Sequence, residues 1–111
     1  PLPGSKHMEA RINNDIAFYI LNSEVQGKVL LTLEAQSVLL SHEKIASSAL
    51  NNFKGIVKEV VPIYNGLEVI LDIGVEIAAI ISHESFNNLG LGKGKQVWAS
   101  FKASGLRIQK I

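Results

Sequence analysis

Short runs in which hydrophobic and polar residues alternate recur along most of the chain, and this period of two predicts β-strands. The clearest run is 67–73, in which every second residue is Leu, Val or Ile. Similar runs lie at 17–21, 28–33, 36–41, 53–61, 75–81, 97–102 and 106–108. The chain is therefore predicted to form a series of short antiparallel strands.

Glycine, proline and asparagine mark the turns between these runs. Tyr64-Asn65-Gly66 predicts a hairpin with a type I′ turn, because Asn and Gly tolerate the positive φ angles that this turn requires. Gly74 and the segment 92–95 predict two further turns. Gly55 is a candidate for a β-bulge or a sharp coiling of the strand, and Pro62 is expected to end its strand.

One segment departs from the strand pattern. At Ser82 the hydrophobic period becomes helical, and this serine suits the N-cap of a short helix, with Ser85 at the capping-box position and Gly90 as the stop. A helix N-terminus offers unpaired N–H donors and a partial positive charge, which favour a small anion. Lys102 and Ser104 would add an ammonium group and a hydroxyl if the fold brings them close.

The order of these elements predicts an all-β fold. Residues 48–111 are expected to form an OB-like small antiparallel barrel with one short helix, preceded by additional β-strands in residues 9–47. A polar connection at 42–48 marks the boundary between these two parts. Residues 1–8 resemble an expression-tag scar and are set aside.

Composition limits the function classes. Hydrophobic residues make up 47% of the 111 residues and aromatic residues 6%, so the core must be mainly aliphatic. A formal net charge of +1 is too small to hold a polyanion by the field of the whole protein. A nucleic-acid-binding barrel would also need several stacking aromatics, so no nucleic-acid partner is expected. No apolar run approaches the about 20 residues that span a bilayer.

Catalytic and metal-binding groups are sparse. The chain has no cysteine, which excludes thiolate metal sites and cysteine nucleophiles. His42 and His83 lack metal-ligand spacing, so no metal site is predicted. The sequence contains no Walker A loop and no nucleophile–base or carboxylate pair with recognisable spacing. This chain alone is therefore predicted to be no enzyme and to use no cofactor.

Several short motifs between residues 48 and 108 occur in a particular order. They are Ser48-Ala49-Leu50-Asn51, the strand containing Gly55, residues 81–85, Leu89-Gly90-Leu91 and residues 101–104. Together they resemble the molybdate-binding molbindin (Mop) or TOBE domain family, which implies a MOP-like barrel. Residues 29–41 are similar to the strand pair that introduces this module in ATP-binding subunits of molybdate, tungstate and sulfate importers.

The resemblance also implies an oxyanion site. In this family, paired modules form an intermolecular barrel, and tetrahedral oxyanions bind at the subunit interface. Carried over position by position, the oxyanion-binding residues are Ser48, Ala49, Ser82, Lys102, Ala103 and Ser104. The family motif is usually Ser-Ala-Arg-Asn, and Leu50 replaces its arginine here. Arg107 is a candidate for supplying that cation from another strand.

The function that the resemblance implies is regulatory molybdate or tungstate binding by the C-terminal domain of an ABC transporter ATP-binding subunit. An alternative is a structural dimerisation module that has lost its ligand, which the replacement at Leu50 favours. The expected partners are a second copy of the chain, a nucleotide-binding domain and a membrane permease subunit. The expected location is the cytoplasm, on the inner face of the cell membrane.

Overall fold

The structure is a computed structural model that describes residues 7–21, 27–47 and 50–110. Its strands are β1 (His7–Arg11), β2 (Ala17–Leu21), β3 (Val29–Leu33), β4 (Leu39–Ser41), β5 (Leu50–Ile63), β6 (Gly66–Asp72), β7 (Glu76–Ile81), β8 (Gln96–Lys102) and β9 (Leu106–Lys110). The helix α1 (His83–Leu89) lies between β7 and β8, and short 3-10 turns occupy Ala35–Ser37 and Ala103–Gly105. The predicted all-β, OB-like fold with one short helix is confirmed.

A five-stranded antiparallel sheet in the order β4-β8-β5-β6-β7 forms most of the barrel wall. The long strand β5 is its centre, because residues 50–56 pair with β8 and residues 56–63 pair with β6. Between Val57 and Glu59 the register of β5 against β6 shifts. A bulge of this kind bends a strand and increases its twist. The bend allows β5 to pair with β8 along its first half and with β6 along its second half.

The N-terminal strands pack against the same core. β1 and β2 form a hairpin, β3 pairs with β9, and β4 is the edge strand beside β8. Phe18 of the hairpin packs edge-on against Phe53 and Phe101, with ring centroids 5.3 and 5.1 Å apart. Buried residues from β2, β4, β6 and β8 belong to one hydrophobic cluster. The hairpin therefore depends on contacts with β5 and β8.

Most predicted strands are present, but the N-terminal part contains two differences. β1 was not predicted, and it begins at His7, inside the segment set aside as a scar. Residues 36–41 were predicted as one strand, whereas only Leu39–Ser41 forms one. Ala35–Ser37 forms a 3-10 turn, in which the Ser37 N–H donates to the Glu34 carbonyl over 2.9 Å. This local hydrogen bond replaces the expected strand pairing.

Pro62 does not end its strand as predicted, since β5 continues to Ile63 and Pro62 pairs with Leu67 of β6. In the described part of the chain, β8 pairs with β5 only as far as Ile56. Val57 still exchanges backbone hydrogen bonds with Lys95 and Gly94. Beyond Val57 one side of β5 is an edge of the sheet, where a proline removes no hydrogen bond from the ladder.

One turn prediction and one bulge prediction also need correction. The 64–66 hairpin is present, but neither Tyr64 nor Asn65 has a positive φ, so its turn is not type I′. The β-bulge lies at Lys58 instead of Gly55, which pairs regularly with Val97. A Cβ at Gly55 would lie 2.8 Å from the Ile73 side chain, so this glycine allows close packing.

The predicted helix is confirmed at both ends. Ser82 is its N-cap, and Gly90 ends it in the left-handed conformation with φ 62°. Its half-buried residues Phe86 and Leu89 pack against the core cluster. Within the described ranges, no helix is long and apolar enough to span a bilayer.

Candidate functional site

Ser82 connects β7 to α1 and is exposed. Its Oγ accepts a hydrogen bond from the Ser85 backbone N–H over 3.0 Å and donates to the Ser85 Oγ over 3.1 Å. The cap uses the Ser82 oxygen as an acceptor. The hydroxyl proton can therefore turn from Ser85 towards an anion while the cap remains.

Gly66 fixes the position of Ser82 from the neighbouring strand. A Cβ at Gly66 would lie 2.5 Å from the Ile81 carbonyl oxygen and 3.9 Å from the Ser82 Cα. Only a residue without a side chain allows the end of β7 to lie this close to the start of β6. We call Gly66, Ser82 and the first turn of α1 the Ser82 end of β5, because the β5–β6 hairpin lies beside them.

Lys102 is the last residue of β8 and pairs with Leu50 at the start of β5. The chain then enters the 3-10 turn Ala103–Gly105, in which the Leu106 N–H donates to the Ala103 carbonyl. Ala103 is only 2% exposed, whereas the side chains of Lys102 and Ser104 are exposed. The buried alanine anchors a turn that presents an ammonium group and a hydroxyl. We call Leu50, Lys102 and this turn the Lys102 end of β5.

Two of the predicted site residues, Ser48 and Ala49, lie outside the described residues. They directly precede Leu50, the residue at which β5 begins beside Lys102.

The structure does not bring all the described candidates together in one chain. The Ser82 end lies beside the last residues of β5, and the Lys102 end lies beside its first residue. β5 has 14 residues, which at about 3.3 Å per residue span at most about 43 Å, and the bulge bends the strand. Ser82 and Lys102 therefore lie at opposite ends of β5 in one chain.

Arg107, the candidate replacement for the missing arginine, already has a partner. Its Nη2 lies 2.6 Å from Oε1 of Glu34, and the two side chains are 73% and 31% exposed. This ion pair joins β9 to the residue that follows β3, which makes Arg107 part of the contact between two strands.

Two histidines and two acidic side chains are exposed or contribute to local structure. His42, His83 and Glu84 are exposed, and Glu84 lies in the first turn of α1, where a carboxylate is favourable. Asp72 accepts the Gly74 N–H over 2.8 Å in the turn before β7. Across the described ranges, no group of three or more His, Cys, Asp or Glu side chains could hold a metal ion.

Asn51 closes the motif 48–51 but was not among the predicted site residues. Its side chain is 3% exposed and makes hydrogen bonds to Tyr19 of β2 and to Phe101 of β8. The available signal was its place in the alternation of β5, since Asn51, Phe53, Gly55 and Val57 occupy every second position. A polar residue at an inward position indicates a partner that must satisfy it.

Ser100 departs from the pattern of its face of β8. Alternation along β8 puts Trp98, Ser100 and Lys102 on one face, where Lys102 is exposed but Ser100 is only 1% exposed. β4 and β5 flank it on both sides, and its Oγ donates to the Asn52 Oδ1 over 2.6 Å. The exposed part of this face is therefore narrower than the alternation indicated.

This sequence matches the model of a known domain family. The family model of the TOBE domain matches residues 47–108, which is more than half of the chain. The chain belongs to the TOBE domain family. The matched region of this TOBE domain includes both the Ser82 end and the Lys102 end of β5 and stops within β9.

Relatives of this TOBE domain include two proteins named molybdate/tungstate import ATP-binding protein WtpC. The relative from Pyrococcus abyssi is 32% identical over 85 residues, which cover 76% of this chain and 25% of the relative. The relative from Pyrococcus horikoshii is 32% identical over 89 residues, which cover 79% and 26%. The chain thus spans about a quarter of the length of these relatives.

A solved structure also resembles this TOBE domain. It is the cytoplasmic molybdate-binding protein ModG, in a form with molybdate bound, with a TM-score of 0.68 and 29% sequence identity. The match covers 75% of this chain and 62% of the ModG chain. The likeness supports the assignment of an OB-like barrel.

Proposed function

We propose that this TOBE domain is the regulatory oxyanion-binding domain of an ATP-binding subunit in an ABC importer for molybdate or tungstate. The names of its WtpC relatives and the molybdate bound to ModG support this ligand class. In the proposal, residues 48–111 form the oxyanion-binding module and residues 9–47 supply the N-terminal strands of the same accessory domain.

The proposed binding site lies between two copies of the chain. A tetrahedral oxyanion needs hydrogen-bond donors at about 3 Å on several sides, whereas Ser82 and Lys102 lie at opposite ends of β5. An antiparallel pair of chains would place the Ser82 end of one copy against the Lys102 end of the other. Two-fold symmetry then creates two equivalent sites per dimer.

Each group has a distinct task in this site. The Lys102 ammonium supplies positive charge, while the hydroxyls of Ser48, Ser82 and Ser104 and the backbone around Ala49 and Ala103 supply neutral donors. Charge-assisted hydrogen bonds to an oxyanion are stronger than neutral ones, so Lys102 makes the largest single contribution. We propose no catalytic role for this chain.

Within the parent protein, anion binding would report the intracellular oxyanion concentration and restrain transport. The partners proposed for that step are the nucleotide-binding domain of the same subunit and the membrane permease, which would place the protein on the cytoplasmic face of the membrane.

A complementation experiment tests the site between copies. Ser82→Ala and Lys102→Ala are each purified, titrated with molybdate by calorimetry, and then mixed under conditions that allow subunit exchange. Each variant alone has both sites damaged. A mixed dimer has one intact site and one doubly altered site, so we expect the mixture to recover up to about a quarter of the sites, because half of the dimers formed at random are mixed.

The outcomes separate the parts of this proposal. Wild-type titrations with molybdate, tungstate and sulfate establish whether and which oxyanion binds. Binding by the wild type without recovery in the mixture would overturn the site between copies. An absence of heat and of any thermal shift at millimolar anion would overturn oxyanion binding itself.

The alternative, a dimerisation module that has lost its ligand, is supported by Leu50 in place of the family arginine. The variant Leu50→Arg distinguishes the two functions. If the site binds oxyanions, a restored guanidinium should tighten binding about tenfold to a hundredfold. If both wild type and Leu50→Arg form dimers whose melting temperature does not respond to anions, the alternative is correct.

A further inference from the structure

Asn51 connects the N-terminal hairpin to the Lys102 end. Its Oδ1 accepts the Tyr19 backbone N–H over 2.7 Å, and its Nδ2 donates to the Tyr19 carbonyl over 3.0 Å. An antiparallel strand pairs with its neighbour through the same two groups of a single residue. The Asn51 carboxamide therefore serves as a one-residue strand partner for β2.

The same carboxamide also reaches β8. The Asn51 Nδ2 donates to the Phe101 carbonyl over 3.3 Å, and that carbonyl belongs to the peptide group that precedes Lys102. Along β5, Asn51 directly follows Leu50, which pairs with Lys102. One buried side chain thus links two segments of the Lys102 end to the hairpin.

Aromatic packing strengthens this link. Phe18, which precedes Tyr19 in β2, packs edge-on against both Phe53 and Phe101. Phe18 is 4% exposed and Phe101 is 1% exposed, so movement of the hairpin would disturb the residue next to Lys102.

We infer that Asn51 is a positioning residue for oxyanion binding, and that docking of the β1–β2 hairpin is energetically coupled to occupancy of the Lys102 end. This inference rests on the proposed function. Asn51 does not need to touch the anion. It holds the start of β5, the end of β8 and the hairpin in one arrangement, so binding at Lys102 should stabilise the hairpin and a loosened hairpin should weaken binding.

The first arm of the test compares two destabilised variants. Asn51→Ala removes the link, whereas Leu71→Val removes one methylene group at a fully buried position in β6 and leaves the Asn51 hydrogen bonds in place. Molybdate affinity is measured by calorimetry at a temperature at which both are folded. We expect Asn51→Ala to bind about tenfold more weakly than wild type, and Leu71→Val to stay within about twofold of it.

The second arm uses the wild-type protein. Hydrogen exchange at the Tyr19 amide is followed with and without saturating molybdate, and we expect the anion to slow it severalfold. If Asn51→Ala does not fold, this arm decides the question alone. Equal affinity of the two variants, or unchanged Tyr19 exchange when molybdate binds, overturns the inference. A wild type that binds no oxyanion is a different result, because it overturns the proposed function and removes the basis of this inference.

Discussion

The Ser82 end of β5 is built from residues within one stretch of the chain, whereas the Lys102 end combines three separate parts of the chain. Ser82 is held by Ser85, three residues away, and by the neighbouring strand at Gly66. The Lys102 end depends on β5, on β8 with the turn that follows it and, through Asn51, on the N-terminal hairpin. The two ends should therefore respond differently to the same kind of mutation.

The largest difference should come from removing an aromatic ring at each end. Phe101→Ala removes a ring that is 1% exposed and packs against Phe18 and Phe53. We expect it to lower the free energy of unfolding by about 3–5 kcal/mol. The matched variant Phe86→Ala removes a half-buried ring of α1. It should lower the free energy of unfolding by clearly less than Phe101→Ala does. Urea unfolding measures both, and equal losses would contradict the contrast between the ends.

Sequence patterns predicted the helix at the Ser82 end of β5, and the reason is physical. Capping by Ser82 and termination at Gly90 depend on residues within one or two helical turns, so residue type and spacing determine them. The strands of the barrel were also predictable, because burial of one face imposes a period of two on the sequence.

Features set by distant partners were not predictable. The burial of Ser100 depends on β4 and β5 lying on either side of it. Pro62 fits within a strand because β8 ends early and leaves an edge there. The hydrogen bonds of Asn51 require β2, which is 32 residues away in the chain. The candidate site could therefore be given as a set of residues from family resemblance, while the placement of Ser82 and Lys102 at opposite ends of β5 became clear only from the strand register.

The next largest effect concerns affinity. Lys102→Ala should weaken molybdate binding about tenfold to a hundredfold, because it removes a charge-assisted hydrogen bond. Its unfolding free energy should change by less than about 0.5 kcal/mol, since the side chain is exposed. Lys110→Ala, an exposed lysine of β9, is the control for loss of one positive charge. If both variants lose affinity equally, net charge and not position explains the effect.

Ser82 has two proposed roles that substitutions can separate. Ser82→Ala removes the helix cap and should lower the unfolding free energy by about 1 kcal/mol, with a loss of anion affinity. Ser82→Asp retains a capping oxygen but places a carboxylate beside the anion. It should keep the stability and lose more affinity than alanine does. Thermal unfolding and calorimetry measure the two effects, and an aspartate variant that binds molybdate normally would exclude Ser82 from the site.

The smallest effect is expected from a substitution of Arg107. It tests whether Arg107 replaces the arginine that the family motif usually has at position 50. Because Arg107 is 73% exposed and paired with Glu34, Arg107→Gln should cost about 0.2–1 kcal/mol of stability at low salt, and less as salt screens the pair. Glu34→Gln should cause a similar loss, since it breaks the same ion pair. Neither substitution should alter molybdate affinity if the guanidinium serves only the contact between β3 and β9. If Arg107→Gln alone weakens binding about tenfold, the guanidinium must leave Glu34 for the anion, and Arg107 then supplies the cation that Leu50 cannot.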